Sequence, residues 1–266
     1  MINTIHVGAL EYYAAENIAV PHCFTTRLGG VSEGYLSSLN LGIHRGDKPE
    51  NVMENYRILG NAIGFSPEQV VMTHQTHTDI VLPVDSAHAG AGLFAPVLPE
   101  CDGLITATPG LALAAFTADC TPILLHDPVT GAVGAVHAGW RGTAAAIGAK
   151  AVAAMASHYG AKPENICAAI GPNIAQCCFE TDGDVPRAML TQYGDAAAPF
   201  IEKRGEKYYL DLKGINALSL QQAGIKNIDI SSLCTACRTD LFWSHRKVGS
   251  LRGSQAGIIL CKGGSI

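Results

Sequence analysis

The chain of 266 residues carries little charge: 15% of its residues are Asp, Glu, Lys or Arg. An average globular protein has about 25%. Because 48% of the residues are hydrophobic, the composition excludes an intrinsically disordered chain, which needs low hydrophobicity and high net charge. Basic residues are also few, and 18 Lys and Arg against 23 Asp and Glu give a net charge of −5. No overall positive field is available to bind nucleic acid, so an anionic substrate needs a local cluster of Arg or backbone N–H groups.

Long hydrophobic runs are missing too. The most apolar stretch, 111–116, is far shorter than the ~20 residues that a membrane-spanning helix needs. The first ten residues lack the positively charged start and apolar centre of a signal peptide, so we predict no membrane partner. The nine Cys, an odd number without an export signal, are typical of reduced thiols in the cytoplasm.

Short apolar segments bounded by Gly, Pro or Asp predict a buried sheet. The predicted strands are 18–26, 70–73, 80–84, 104–106, 111–117, 123–126, 132–137, 166–170, 208–210, 228–230 and 258–261. The predicted helices are 47–64, 143–159 with Thr143 as N-cap, 184–193 and 212–223. Four strands precede the main helix without interruption, which does not fit regular βαβ winding. We predict a single mixed α/β domain over residues 1–266.

Polar side chains at the ends of these apolar strands are the candidate functional groups. His77, Cys120 and His137 each follow or end such a segment. Zinc binds Cys thiolate and His nitrogen, and a catalytic zinc site keeps three protein ligands with one open position. These three residues are therefore a candidate metal site.

The same residues allow a second interpretation without metal. Cys120 and His137 could form a thiolate–imidazolium pair, with Asp119 or another acid orienting the ring. The remaining thiols give weaker signals. Cys234 and Cys237 form a C-x-x-C pair, but a second such pair and a thioredoxin-type neighbourhood are missing, so neither a structural zinc nor a redox role is assigned. The adjacent Cys177 and Cys178 are interpreted as packing beneath a loop.

Four arginines are candidates for binding an anion: Arg27, Arg57, Arg141 and Arg246. Arg141 is the strongest of them, because it is predicted to open a helix whose N-terminal N–H groups and dipole favour a phosphate or carboxylate. Gly139 and Gly142 beside it would let the backbone approach a ligand closely.

Several motifs together resemble the YfiH-type family, long labelled multicopper polyphenol oxidase or laccase-domain proteins. The resemblance runs from about residue 24 to residue 259, and the Thr-Ala-Asp-Cys and His-Ala-Gly-Trp-Arg-Gly-Thr segments are its most specific parts. The motifs are Thr25-Thr26-Arg27, Ser38-Leu39-Asn40-Leu41-Gly42, Gln75-Thr76-His77, Thr117-Ala118-Asp119-Cys120, His137-Ala138-Gly139-Trp140-Arg141-Gly142-Thr143, Ile170-Gly171-Pro172 and Ser244-His245-Arg246.

The resemblance implies a zinc-dependent purine nucleoside phosphorylase that acts on adenosine, inosine and methylthioadenosine and also deaminates adenosine. It implies zinc ligated by His77, Cys120 and His137, and a mixed α/β sandwich with flanking helices like that of cytotoxic necrotizing factor. Nucleoside and phosphate are then the small-molecule partners. Asn173 and His245 depart from the family pattern, where Cys and Tyr are usual.

From these observations we assign catalysis to Cys120, His137 and Asp119. We assign substrate and phosphate binding to Arg27, Asn40, Arg141 and Arg246.

Three alternatives remain open. A copper-dependent polyphenol oxidase needs many more His than the ten here, which include no His-x-His pair and none beside Cys120, although copper could still occupy a nitrogen–sulfur site. The others are a metal-independent Cys–His hydrolase or deamidase and a non-catalytic protein that binds a metal for stability.

Overall fold

The computed structural model describes residues 1–262 and contains two six-stranded sheets and one three-stranded sheet. In spatial order, the first sheet consists of β1 (Ile2–Val7), β2 (Leu10–Ala15), β3 (His22–Thr25), β15 (Gln255–Leu260), β7 (Ala112–Thr117) and β4 (Val70–Met72). The second consists of β14 (Asn227–Ile230), β10 (Cys167–Ile170), β8 (Thr121–His126), β9 (Val133–Ala138), β6 (Gly103–Thr106) and β5 (Val81–Pro83). The third consists of β11 (Glu180–Thr181), β13 (Lys207–Leu210) and β12 (Ile201–Arg204).

The two large sheets pack face to face, with β7 and β15 of the first against β8 and β9 of the second. Alternation along each strand explains this, because successive side chains point to opposite faces. In β7, Leu113 contributes to the core between the sheets, whereas Ala112 and Ala114 face a second core outside them. In β8, Leu124 faces inward and Ile123 outward.

Helices cover the outer faces. Their bounds are α1 (Pro49–Ile63), α2 (Trp140–Ala144), α3 (Ile147–Tyr159), α4 (Asp184–Tyr193), α5 (Leu212–Gln222) and α6 (His245–Val248). Short 3-10 turns lie at Gly34–Leu36, Pro67–Gln69, Ser86–His88, Pro163–Asn165 and Gly194–Phe200. The apolar side of α1 packs on the first sheet and that of α3 on the second. No helix within residues 1–262 is long and apolar enough to cross a bilayer.

The predicted mixed α/β class is confirmed. Most predicted strands and helices form with shifted ends, but β1, β2 and the short β11 and β12 were missed.

The predicted helix over 143–159 with Thr143 as N-cap is wrong. The segment forms two helices, α2 and α3, separated at Ala146, whose φ of 56° is left-handed. Thr143 lies inside α2 and is buried. Its hydroxyl accepts from Asn216 and its carbonyl accepts from the Tyr193 hydroxyl, so tertiary hydrogen bonds replace a cap.

Two connections carry the chain from the first sheet to the second. One links β4 to β5 and contains His77; the other links β7 to β8 and contains Cys120. Each connection includes a non-glycine residue with left-handed backbone, His77 at φ 63° and Asp119 at φ 96°. Such conformations are uncommon and cluster at functional sites. Both turns lie at the same edge of the sandwich, and β9 also ends there, at Ala138.

Candidate metal centre

His77, Cys120 and His137 meet at this edge of the sandwich. Their ligand atoms, one from each side chain, all lie within 4.8 Å of one another. The two imidazole rings are 5.0 Å apart in an edge-on arrangement. His137 is buried, Cys120 is half-buried and His77 is exposed, so the group is closed on the protein side and open on the other. The predicted convergence of these three residues is confirmed, and the set can hold a metal ion.

Gly139 gives the triad its space. It precedes α2 with an ordinary φ of −67°, so its backbone does not require glycine. A Cβ at this position would instead lie 2.5 Å from Nδ1 of His77 and 3.4 Å from Sγ of Cys120. The glycine is therefore needed because a side chain would clash with the His77 ring and would already touch the sulfur of Cys120.

Asp102 orients His137 and was missed by the sequence analysis. Oδ1 of Asp102 lies 2.6 Å from Nδ1 of His137, which leaves Nε2 of that ring for a metal. The carboxylate also accepts from the backbone N–H groups of His77 and Thr78 and from the Thr78 hydroxyl. One buried acid thus fixes both the ring of one ligand and the turn that carries another, as acids behind metal-binding histidines commonly do.

The electrostatics of the triad suit metal binding. Burial alone would lower the pKa of His137, but the Cys120 thiolate and the Asp102 carboxylate outweigh it and raise the pKa to about 9. Burial and the charge of His137 lower the pKa of His77. Burial opposes ionisation of Asp102, but the hydrogen bond from His137 brings its pKa down to about 2. A metal that binds here must displace a proton from His137.

Asp119 does not contact the imidazole of His137. Its carboxylate accepts from the Thr235 hydroxyl at 2.6 Å, from the Ser244 hydroxyl at 3.0 Å and from the Arg246 backbone N–H at 2.6 Å. The acid that orients the ring is Asp102 instead. Asp119 joins the Cys120 turn to the segment 235–246, and thereby positions the Cys120 backbone.

A cavity of about 570 Å³ opens above the triad. Its walls combine apolar side chains with two arginines, Arg45 and Arg252, that the sequence analysis did not select. Both arginines are half-buried, and Arg45 donates to Ser254 while Arg252 donates to the carbonyl of Gly253. Burial and the charge of Arg45 lower the pKa of Arg252 to about 10, so it remains charged at neutral pH. The cavity therefore places two cations near the candidate metal ligands.

The four residues assigned to substrate and phosphate binding are not among the described residues that line this cavity. The Arg27 guanidinium donates to the carbonyls of Ser37 and Thr239 and stacks on Trp243. That of Arg246 donates to the carbonyls of Cys178 and Glu180. Asn40 is buried and hydrogen-bonds Gly42, Asp47 and Ser254. Arg141 stacks on Trp140, beside a separate surface depression, and its helix is only five residues long.

The chain belongs to the family described as multi-copper polyphenol oxidoreductase laccase, whose model matches residues 21–262. A hypothetical protein YfiH from Bacillus licheniformis has a solved structure with a TM-score of 0.90 and 35% identity, covering 98% of this chain and 99% of that one. The solved structure of YlmD from Geobacillus stearothermophilus has a TM-score of 0.89 and 33% identity, covering 97% of this chain and 98% of that one. A purine nucleoside phosphorylase of Deinococcus radiodurans is 40% identical over 251 residues, 94% of this chain and 92% of that protein. The YfiH-type resemblance is confirmed.

Proposed function

We propose that this protein is a zinc-dependent purine nucleoside phosphorylase that acts on adenosine, inosine and methylthioadenosine and also deaminates adenosine. The observation that carries the proposal is the His77, Cys120 and His137 triad, open toward a cavity that also contains two arginines. The cavity lies within the range of about 300–1,000 Å³ typical of small-molecule sites. Relatives named purine nucleoside phosphorylase support the phosphorylase part of the proposal.

The donor set fits zinc. Two imidazole nitrogens and one thiolate with an open side are the ligands of a catalytic zinc site. A multicopper oxidase would need further clusters of His for its other copper ions. Within residues 1–262, the one other group able to hold a metal consists of four cysteines and no histidine. Copper oxidase chemistry therefore lacks its partners in the described part of the chain.

The residues of the cavity divide the work of phosphorolysis. Phosphate attacks the sugar carbon while the bond to the purine breaks and negative charge moves onto the departing base. Arg45 and Arg252 face the cavity, and the groups that they contact in the protein are not carboxylates, so both remain available for an anion. Two cations that orient phosphate lower the barrier mainly by positioning. The role of the residues assigned from the sequence would then be to stabilise the surrounding loops; these residues are Arg27, Asn40, Arg141 and Arg246.

The metal ligands would serve both reactions, because an ion that they hold would stabilise charge on the departing base in phosphorolysis and would activate water in deamination. A bound zinc supplies a Lewis acid and lowers the pKa of water that it coordinates, as hydrolytic deamination requires. Asp102 keeps the His137 ring in the orientation that leaves Nε2 free. Asp119 holds the turn before Cys120 through its three hydrogen bonds. Met72 and Phe116 line the cavity and exclude water from the reacting base.

The proposal is tested by incubating the zinc-loaded protein with adenosine, inosine or methylthioadenosine, with and without phosphate, and separating the products. We expect free base and sugar 1-phosphate only when phosphate is present, and inosine from adenosine in either case. The same assay after chelation should show loss of both reactions. Undiminished deamination without metal, and no sugar 1-phosphate, would instead identify a Cys–His hydrolase, and an unchanged set of nucleosides would contradict the proposed function.

The phosphate site is tested by comparing Arg252→Ala with Arg141→Ala. Loss of a hydrogen-bonded charge costs about 1.5–3 kcal/mol, so we expect Arg252→Ala to raise the KM for phosphate roughly 10–100-fold. Deamination needs no anion and should change by less than about threefold. Arg57→Ala, on the exposed side of α1, is the matched control. A larger rise in the phosphate KM for Arg141→Ala than for Arg252→Ala would restore the sequence-based assignment.

A further inference from the structure

Four cysteines form a second cluster, away from the cavity. Cys177 and Cys178 lie in a turn after β10, and Cys234 and Cys237 lie in a turn after β14. Strands β10 and β14 pair in parallel, so the segments that follow them leave the sheet in the same direction. A parallel bridge between Asn173 and Cys234 continues this pairing beyond the strands. Local turns and non-local pairing together bring two distant pairs of thiols to one place.

The distances between the sulfur atoms match those around one tetrahedral ion. Sγ of Cys237 lies 3.4 Å from Sγ of Cys178 and 3.6 Å from Sγ of Cys177. The Sγ atoms of Cys177 and Cys178 are 3.7 Å apart. Sγ of Cys234 lies within 4.8 Å of the other three. Four sulfurs bound tetrahedrally at about 2.3 Å from zinc would be about 3.8 Å apart. Cys177 and Cys237 are exposed, which contradicts the interpretation of the adjacent pair as packing beneath a loop.

Positive groups around the cluster would offset the charge of sulfur atoms bound to a metal. The backbone N–H of Ala175 donates to Sγ of Cys234 at 3.3 Å. Two cations lie beside the same turns, and each is anchored to a carbonyl: Lys213 to that of Leu233 and Arg246 to that of Cys178. Four thiolates around a divalent ion leave two net negative charges, which these cations offset.

We propose that Cys177, Cys178, Cys234 and Cys237 bind one structural zinc ion. A tetrahedral site of four sulfurs selects zinc or an iron–sulfur centre. The distances between these sulfurs fit a single ion. All four positions are filled by protein, so the ion has no open coordination position and does not catalyse. It joins the turn after β10 to the turn after β14.

The proposed zinc site is linked by hydrogen bonds to the turn that contains Cys120. Thr235, between the two cysteines of the second pair, donates its hydroxyl to Asp119, the residue before Cys120. The backbone N–H of Ile174 donates to the carbonyl of Asp119 as well. The structural ion therefore fixes two of the contacts that hold the Cys120 turn in place.

The test measures the metal content of the full-length protein, purified under reducing conditions without chelator, by elemental analysis against total sulfur. We expect about two equivalents of zinc per chain, falling to about one in Cys120→Ala and about one in Cys237→Ser. The double variant should hold none. Cys167→Ser, a half-buried thiol outside both clusters, is the matched control and should keep both ions.

A second measurement does not require the Cys237 variant to fold. Cobalt added to metal-free Cys120→Ala should give the intense visible and thiolate-to-cobalt absorption of a tetrahedral site of four sulfurs. One equivalent in the native protein that is lost only in Cys120→Ala would refute the four-cysteine site and leave the proposed function intact. Iron with acid-labile sulfide, or a mass deficit showing disulfides among these cysteines in protein never exposed to oxidant, would also refute it.

Discussion

Replacing Cys120 with Ala should remove the metal held by the triad and reduce phosphorolysis and deamination by more than about 1,000-fold. The thiolate is one of three ligands, and two imidazoles alone do not hold zinc tightly. The side chain is small and half-buried, so the fold should persist with a thermal midpoint within a few degrees of that of the metal-free native protein. Metal analysis, product separation and thermal unfolding check the three parts of this expectation.

Cys167→Ala is the control for this variant, because that thiol is half-buried to a similar degree but belongs to neither cysteine-containing cluster. It should retain metal and both activities. If Cys120→Ala bound as much metal as the native chain, the ligand set would be wrong. If it lost metal but kept its turnover, the metal would have no part in the chemistry.

Gly139→Ala should reduce zinc binding and activity nearly as much as Cys120→Ala, although the change adds a single methyl group. Its Cβ would lie 2.5 Å from Nδ1 of His77, so the ring must move away from the position in which it meets Cys120 and His137. Displacing one ligand should weaken zinc binding by more than about 100-fold and lower activity accordingly. The backbone of Gly139 suits alanine, so the unfolding temperature of the metal-free protein should change little. Competition with a chromogenic zinc chelator measures the affinity.

Gly183→Ala provides the comparison. Gly183 also precedes a helix, has φ −70°, and would place its Cβ no closer than 3.7 Å to Tyr208. This variant should bind zinc normally. Full zinc affinity in Gly139→Ala would show that the His77 ring does not occupy its present position in the metal-bound protein.

The convergence of the three candidate metal ligands could be predicted from the sequence because each is visible in local context. His77, Cys120 and His137 are polar or nucleophilic residues at the ends of apolar strands, and this pattern depends only on neighbours along the chain. Asp102 has a similar position, immediately before β6. Its partner, however, is set by the pairing of β6 with β9, which aligns Gly103 with Val136 and brings Asp102 beside His137. No local pattern contains that register.

The two arginines that line the cavity were not predicted, for a related reason. Arg141 was selected because it was expected to open a long helix, but the left-handed turn at Ala146 divides that segment. An alanine-rich sequence gives no sign of such a break, beside which the Thr143 carbonyl accepts a hydrogen bond from Tyr193, 50 residues further along the chain. Arg45 and Arg252 lie in loops without regular periodicity, and only the folded chain brings them to one wall.

The four cysteines show the same limit. Each pair alone is weak, since one is a single C-x-x-C and the other is adjacent in sequence. The parallel pairing of β10 with β14 makes them one group.

The two turns that cross between the large sheets have a mechanical consequence. His77 and Cys120 belong to these links, while His137 ends a strand of the second sheet, so an ion held by all three closes a ring through both layers of the sandwich. Part of the free energy of metal binding then stabilises the alignment of the two sheets. Linkage is reciprocal, so tighter packing between the layers raises affinity for the ion, and slippage between them releases it.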